Sequence, residues 1–249
     1  MIRKVLQNRL LNINEDLKRS FPANFMIEKK DLLDIAFTEL AISRVADLGC
    51  VWGVDCAYGL YVLDKYQPAH IVMVDTHWTE TAIEACKSNR KIRILQKSFG
   101  SPEVPGELGS VDTIILFDVL LHQVAPDWDR VLQMYAPYTK SFIIFNPQYI
   151  GSETSVRLLD LGYEKYFENV PHDIRHPAYK SLFSKMWEIH PEHGRIWRDV
   201  HHVWQWGITD HDLFDTMEQI GFVLTYFKNH GRFGNLKNFE NHTFIFSKR

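Results

Sequence analysis

The 249-residue chain sets 28 Lys and Arg against 31 Asp and Glu, a formal net charge of -3, with 13% aromatic residues. That is enough chain to bury a core as one domain with an elaboration, and its scattered basic residues form no stripe for a phosphate backbone, which argues against a nucleic-acid partner. Cys50, Cys56 and Cys86 are an odd set without CxxC or Cys/His ligand spacing, so neither disulfides nor structural zinc are expected, and a reducing, cytoplasmic setting is.

The first 21 residues, MIRKVLQNRLLNINEDLKRSF, lack the apolar core of a signal peptide, and no segment has the length to cross a bilayer. Residues 1–42 are helical in pattern and are expected to form an N-terminal lid. Short runs rich in Ile and Val then follow at 43–49, 70–75, 91–96, 112–118 and 141–146, reading as strands. Between them, residues 53–66, 78–90 and 127–138 repeat apolar side chains at helical spacing. Strands apolar on both faces and alternating with helices predict a doubly wound α/β fold, whose ligands bind beyond the carboxyl ends of a parallel sheet. The core is expected over 43–149 and again over 208–249.

Residues 150–207 break this pattern. They hold no obvious strand, and seven of the 12 histidines lie between His172 and His211. A mobile, solvated helical cap over the carboxyl edge is expected, inserted before the last helix. His190, Glu192, His193, His201 and His202 are metal-ligating types, but no HExxH or comparable frame is present, and no metal is expected. Regularity resumes with Thr209 as a helix cap, Asp212 in the capping-box position and Gly221 as the helix stop. Strands at 222–228 and 242–248 complete the chain.

The stretch DLGCVWG, residues 47–53, carries the most chemistry. A strand ending in Asp47 that turns through Gly49 and Gly53 into a helix offers backbone N–H groups and a close-approach surface at the first switch point. Asp75 ends the next strand, where a carboxylate can accept from both hydroxyls of a ribose. Together they point to a nucleoside-containing cofactor.

With these features the chain resembles the class I S-adenosylmethionine-dependent methyltransferases over roughly residues 43–149 and 209–248. DLGCVWG is similar to that family's first motif, VDTHW to its second, LQKSFGS to the segment flanking adenine, FDVLLHQVAPDW to the stretch after the fourth strand, and TDHDLFDTMEQIGF to the helix before the sixth. The resemblance implies a seven-stranded, mostly parallel sheet with an antiparallel last strand, S-adenosyl-L-methionine as cofactor, and contacts to it from Asp47, Gly49, Cys50, Gly53, Asp75, Thr76, Ser98, Phe99 and Asp118. Val51 stands where the family usually has a second glycine, and Ser98 where an Asp often holds the adenine amino group.

The expected activity is in-line methyl transfer to an O, N or C atom of a small molecule. His122, His201 and His202 are the candidate bases for an oxygen acceptor, because histidine titrates near neutrality. Asn146 and Tyr149, within FNPQYI, are candidate substrate contacts, although the motif itself reads mainly as a strand-ending turn. In the cap, Arg195, Arg198 and Trp204, with Arg157, Arg175 and Trp206, suit an aromatic or anionic molecule. Trp52 and Tyr58 are either core aromatics or faces for a sulfonium. Other readings are a non-catalytic cofactor- or partner-binding member of the fold and, less favoured, an NAD-dependent dehydrogenase or a nucleic-acid methyltransferase. Oligomeric state is not legible.

Overall fold

The computed structural model describes residues 24–87 and 89–249. Most of the segment expected to form an N-terminal lid therefore lies outside the described residues. What is described of it is helix α1 (Ile27–Glu39), whose Leu32, Leu33 and Ala36 are fully buried against a face of the sheet.

The alternating elements follow the expected order: β1 (Arg44–Leu48), α2 (Ala57–Tyr66), β2 (His70–Asp75), α3 (Glu80–Lys87), β3 (Ile92–Gln96), α4 (Val104–Leu108), β4 (Val111–Phe117), α5 (Trp128–Tyr135) and β5 (Thr139–Tyr149). The cap contributes β6 (Val156–Arg157), α6 (Tyr163–Glu168), α7 (Pro177–Ser184) and β7 (Trp206–Gly207). Helix α8 (Asp210–Gln219) and the long strands β8 (Phe222–Arg232) and β9 (Phe239–Lys248) finish the chain.

One seven-stranded sheet runs in the order β3-β2-β1-β4-β5-β9-β8, with β1 to β5 parallel and β9 antiparallel to both its neighbours. Successive strand residues serve opposite faces, as the pleat requires. Val45, Ile71, Met73, Ile115, Ile143 and Phe145 pack toward α1, α2 and α3. Ala46, Val72, Val74, Ile114, Phe142 and Ile144 pack toward α4, α5 and α8. Both faces are covered, which is why these strands read as unbroken apolar runs.

Two local readings change. FNPQYI is not a turn: β5 runs on through Tyr149, with Asn146 opposite His242 and Gln148 opposite Glu240 in β9. Phe145 accepts from the Asp118 N–H on the β4 side, and Pro147, two residues on, would place its missing N–H on that same side, beyond the end of β4. Thr209 caps α8 by accepting from the Asp212 N–H, but no capping box closes, because Ser155 Oγ takes the Thr209 N–H and the Asp212 carboxylate accepts from the Ser155 N–H.

The cap also differs from the solvated insertion expected. Leu158, Leu159, Tyr166, Val170, Leu182, Val200, Val203 and Trp204 form their own core with Leu121, Tyr149 and Phe239 of the main body. Its strands are only two residues each, pairing Val156 with Gly207 and Arg157 with Trp206, too short to show as a periodic pattern.

Candidate functional site

The turn after β1 is built on left-handed backbone. Gly49 and Gly53 have φ of 72° and 74°, and Asp55 and Cys56 are also at positive φ. A Cβ at Gly49 would stand 2.5 Å from Val119, so that residue's bare face is close-packed against the segment after β4. Asp75 ties the turn to the end of β2, its two oxygens accepting from the N–H groups of Val51 (2.9 Å) and His77 (3.1 Å). An ionised carboxylate offers about four lone-pair sites, so these two bonds leave room for further donors. Val51 therefore spends its N–H on Asp75 and its side chain on the core.

Asp47 lies beneath this turn. Burial, and then the neighbouring Asp75 charge, push its carboxyl up to about 7, with Oδ2 lacking a hydrogen-bond partner. The unfolded carboxyl titrates near 4, so between roughly pH 4 and 7 the folded state retains a proton that the unfolded chain has lost, and stability falls as pH rises by up to about 1.4 kcal/mol per unit. Asp47→Asn is expected to remove that slope. Urea unfolding of both proteins at pH 5, 6 and 7 checks it, and parallel curves would contradict the assignment.

The other cofactor candidates are distributed unevenly. Thr76 is exposed beside Asp75. Ser98 accepts from the Gly100 N–H at 3.3 Å, and Phe99 is buried close to Gly49. Cys50 is buried, with its thiol toward the Val74 carbonyl. Trp52 is 86% exposed, whereas Tyr58 is buried and accepts from the Met26 N–H at 2.8 Å.

Asp118, at positive φ after β4, forms a half-buried ion pair with Lys29 of α1 and leaves Oδ1 without a partner. The Lys29 ammonium lies 5.0 Å from the Phe145 ring centroid, 5.4 Å from Tyr58 and 5.8 Å from Phe117. This is a cage for positive charge at the carboxyl end of β4. Sequence reasoning missed Lys29. The signal was there, because Lys29, Leu32, Leu33 and Ala36 follow the spacing of one helical stripe.

Beyond β4 and β5, buried amides lack partners. Gln148 is fully buried with neither Oε1 nor Nε2 hydrogen-bonded, Asn146 is fully buried with Oδ1 free, and Gln123 leaves Oε1 free. Gln123 and Gln148 were also not singled out by the sequence. Buried side-chain polar atoms are as a rule satisfied, so this concentration at one edge stands out. Tyr149 packs instead against Phe239 in the cap core.

The three candidate bases have different settings. His122 Nδ1 donates to the Val203 carbonyl at 2.8 Å, and burial lowers its pKa. His201 Nε2 lies 2.5 Å from Arg195 Nη1 and 3.0 Å from the Val124 carbonyl, and burial, then the Arg195 charge, lower its pKa to about 4. One ring nitrogen cannot both accept from the guanidinium and donate to the carbonyl, so only one of these two contacts is a hydrogen bond. His202 is exposed and lines a cavity of about 450 Å³ with His190, Glu192, His193 and Trp197. Arg198 pairs with Asp160 and covers Trp187, while Trp204 packs on Phe233 and Phe239. Arg195, Arg198 and Trp204 thus hold the cap together in this structure.

No family model and no curated protein sequence matches the chain. Solved structures do. The N-terminal domain of EvdMO1, crystallised in the presence of S-adenosylhomocysteine and D-fucose, matches with a TM-score of 0.55 at 12% identity, over 100% of this chain and 98% of that one. The 1,6-didemethyltoxoflavin-N1-methyltransferase of Burkholderia thailandensis, with bound 1,6-didemethyltoxoflavin and S-adenosylhomocysteine, matches at 0.56 and 11% identity over 99% and 88%. Magnesium protoporphyrin IX methyltransferase from Synechocystis PCC 6803, with S-adenosylmethionine bound, gives 0.51 and 11% over 89% and 78%. The chain has the class I S-adenosylmethionine-dependent methyltransferase fold. No helix among the described residues is long and apolar enough to cross a membrane.

Proposed function

We propose that the protein is an S-adenosylmethionine-dependent methyltransferase acting on a polar small molecule in the cytoplasm. The observation that carries this reading is a juxtaposition at one sheet edge. The Asp75-braced glycine turn stands at β1 and β2, and the free Asn146 Oδ1 and the unpartnered Gln148 amide stand on β5. In similar structures, the cofactor or its demethylated product is bound.

The residues present fit such a cofactor. Asp75 retains acceptor capacity for ribose hydroxyls, with Thr76 exposed beside it. Ser98 and Phe99 border the adenine side, and Gly49, Cys50 and Gly53 supply the backbone of the turn. Asp118, with an unpartnered oxygen, serves the cationic end. The cofactor supplies an electrophilic methyl group whose departure leaves a neutral thioether, so the protein's main task is alignment of the acceptor. Asn146 and Gln148 orient it by hydrogen bonds. For an oxygen acceptor, His122 is the base. Its Nδ1 proton is given to Val203, leaving the other ring nitrogen basic, and burial keeps the ring neutral near pH 7. Residues 150–207 cover this edge as the substrate cap.

Isothermal titration with S-adenosylhomocysteine, with NADH as control, tests the cofactor assignment. Micromolar binding of the former alone is expected. Folded Asp75→Ala protein should bind about 10- to 100-fold more weakly, the cost of hydrogen bonds to a charged group. Preferential binding of NADH, or of neither compound, would overturn the reading.

A further inference from the structure

The cap carries a second constellation that methyl transfer does not use. Residues 188–197 form a tight hairpin, closed by an Ile189–Ile196 bridge, by His190 N–H donating to Arg195 O (2.7 Å) and by Trp197 N–H donating to Glu188 O (3.0 Å). Its tip turns through Pro191 and Gly194, the latter at φ 62°. This geometry sets one donor atom from each of His190, Glu192 and His193 within 4.8 Å of one another. The hairpin is therefore organised before any ligand arrives, and two of its three donors face solvent.

A further imidazole, His202, stands beside this trio on a different segment, outside the 4.8 Å set. The His193 ring centroid is 4.4 Å from that of His190 and 5.5 Å from that of His202. Imidazoles bound at a metal–nitrogen distance of about 2.0 to 2.1 Å in a tetrahedron have ring centroids roughly 5 Å apart. The observed spacings bracket that value. His190 Nδ1 accepts a long hydrogen bond from the Glu192 N–H (3.2 Å), and that lone pair is the kind a metal takes over. All four residues line the 450 Å³ cavity.

We propose that His190, Glu192, His193 and His202 form a binding site for a divalent transition metal of the zinc type. Imidazole suits zinc, and three imidazoles with one carboxylate satisfy its four-coordinate preference. The metal clamps the hairpin to the segment that carries His202, closing the outer wall of the cap cavity. Little in the local pattern points to it, since H-x-E-H at a hairpin tip, followed eight residues later by His-His, matches no helical ligand frame.

The test uses the untagged full chain, stripped with chelator and titrated with Zn²⁺ alone. One tight equivalent is expected, and Co²⁺ in its place should give the visible absorption of a tetrahedral ion. His193→Ala and Glu192→Ala alter exposed residues and should leave the fold intact while weakening Zn²⁺ by at least about tenfold, the floor set even by outer-shell partners. His202→Ala should weaken it as well and bleach the tetrahedral cobalt bands. His211→Ala, an exposed histidine on α8, serves as the control and should bind as the unaltered protein does. Unchanged affinity in His193→Ala and Glu192→Ala, or only weak multiple binding, would overturn the site and leave a surface histidine cluster. These readouts require neither methyl donor nor activity, so failure here and failure of the methyltransferase reading are separable.

Discussion

Replacing Gln148 by Met is expected to make the protein more stable, by about 1 to 3 kcal/mol, and less able to bind its substrate. The amide is fully buried and neither of its polar atoms is hydrogen-bonded. Desolvating such a group without compensation costs about that much, and an unbranched apolar side chain of similar length removes the penalty without opening a cavity. For a chain of this size the gain corresponds to a rise in Tm of roughly 2 to 12 °C. Under the proposed function the same change deprives a polar acceptor of its hydrogen bonds, and kcat/KM for any substrate found should fall by about tenfold or more. Thermal unfolding is the first measurement. A lower Tm for Gln148→Met would mean that the amide is a paired structural group, and the polar site at the end of β5 would lose its main support.

Arg157→Met is expected to act in the opposite direction, with a loss of about 1 to 3 kcal/mol, as for a buried acceptor left without its partner. Its guanidinium donates to Gln205 Oε1 (2.9 Å), the Arg198 carbonyl (2.7 Å) and Asp199 (2.9 Å), and lies over the Trp206 ring at 5.6 Å. The side chain is 12% exposed and Gln205 is fully buried, so that amide would lose its donor without access to water. Lysine should not rescue, since one ammonium cannot serve a planar fork of three acceptors. Denaturation followed by tryptophan fluorescence reads the change. A loss below about 1 kcal/mol would place this contact with ordinary surface ion pairs.

Much of the sheet was legible because burial on both faces leaves a plain mark: the Ile- and Val-rich runs became β1 to β5, and Gly49, Gly53 and Gly221 take positive φ where turns were expected. Elements set by distant partners were not legible. Pro147 looks like a chain break until the end of β4 is seen to leave that side of β5 open. Arg195, Arg198 and Trp204 suited a ligand by type, yet their contacts lie within the cap or with the strand that supports it. Lys29 could not be joined to Asp118 across 89 residues by any local pattern, nor could the hairpin that gathers His190, Glu192 and His193 be read from their spacing. Short-range regularity shows in a sequence, while polar side chains that meet through the fold do not.

The sharing of Tyr149 and Phe239 between sheet and cap bears on how the molecule comes apart. Tyr149 N–H donates to Ile208 O, Ile150 N–H to Asn238 O and Gln205 N–H to Leu121 O, so backbone bonds fix the chain leaving the cap onto β5 and stitch the cap to the segments before β9 and after β4. An insertion held in this way does not swing on a hinge as a rigid body. It unfolds with the strand that carries Asn146 and Gln148, as a single cooperative unit in hydrogen exchange. Small molecules would then reach the sheet edge through local opening of the outer hairpin, whose tip residues 191–194 are exposed, while the inner wall stays in place.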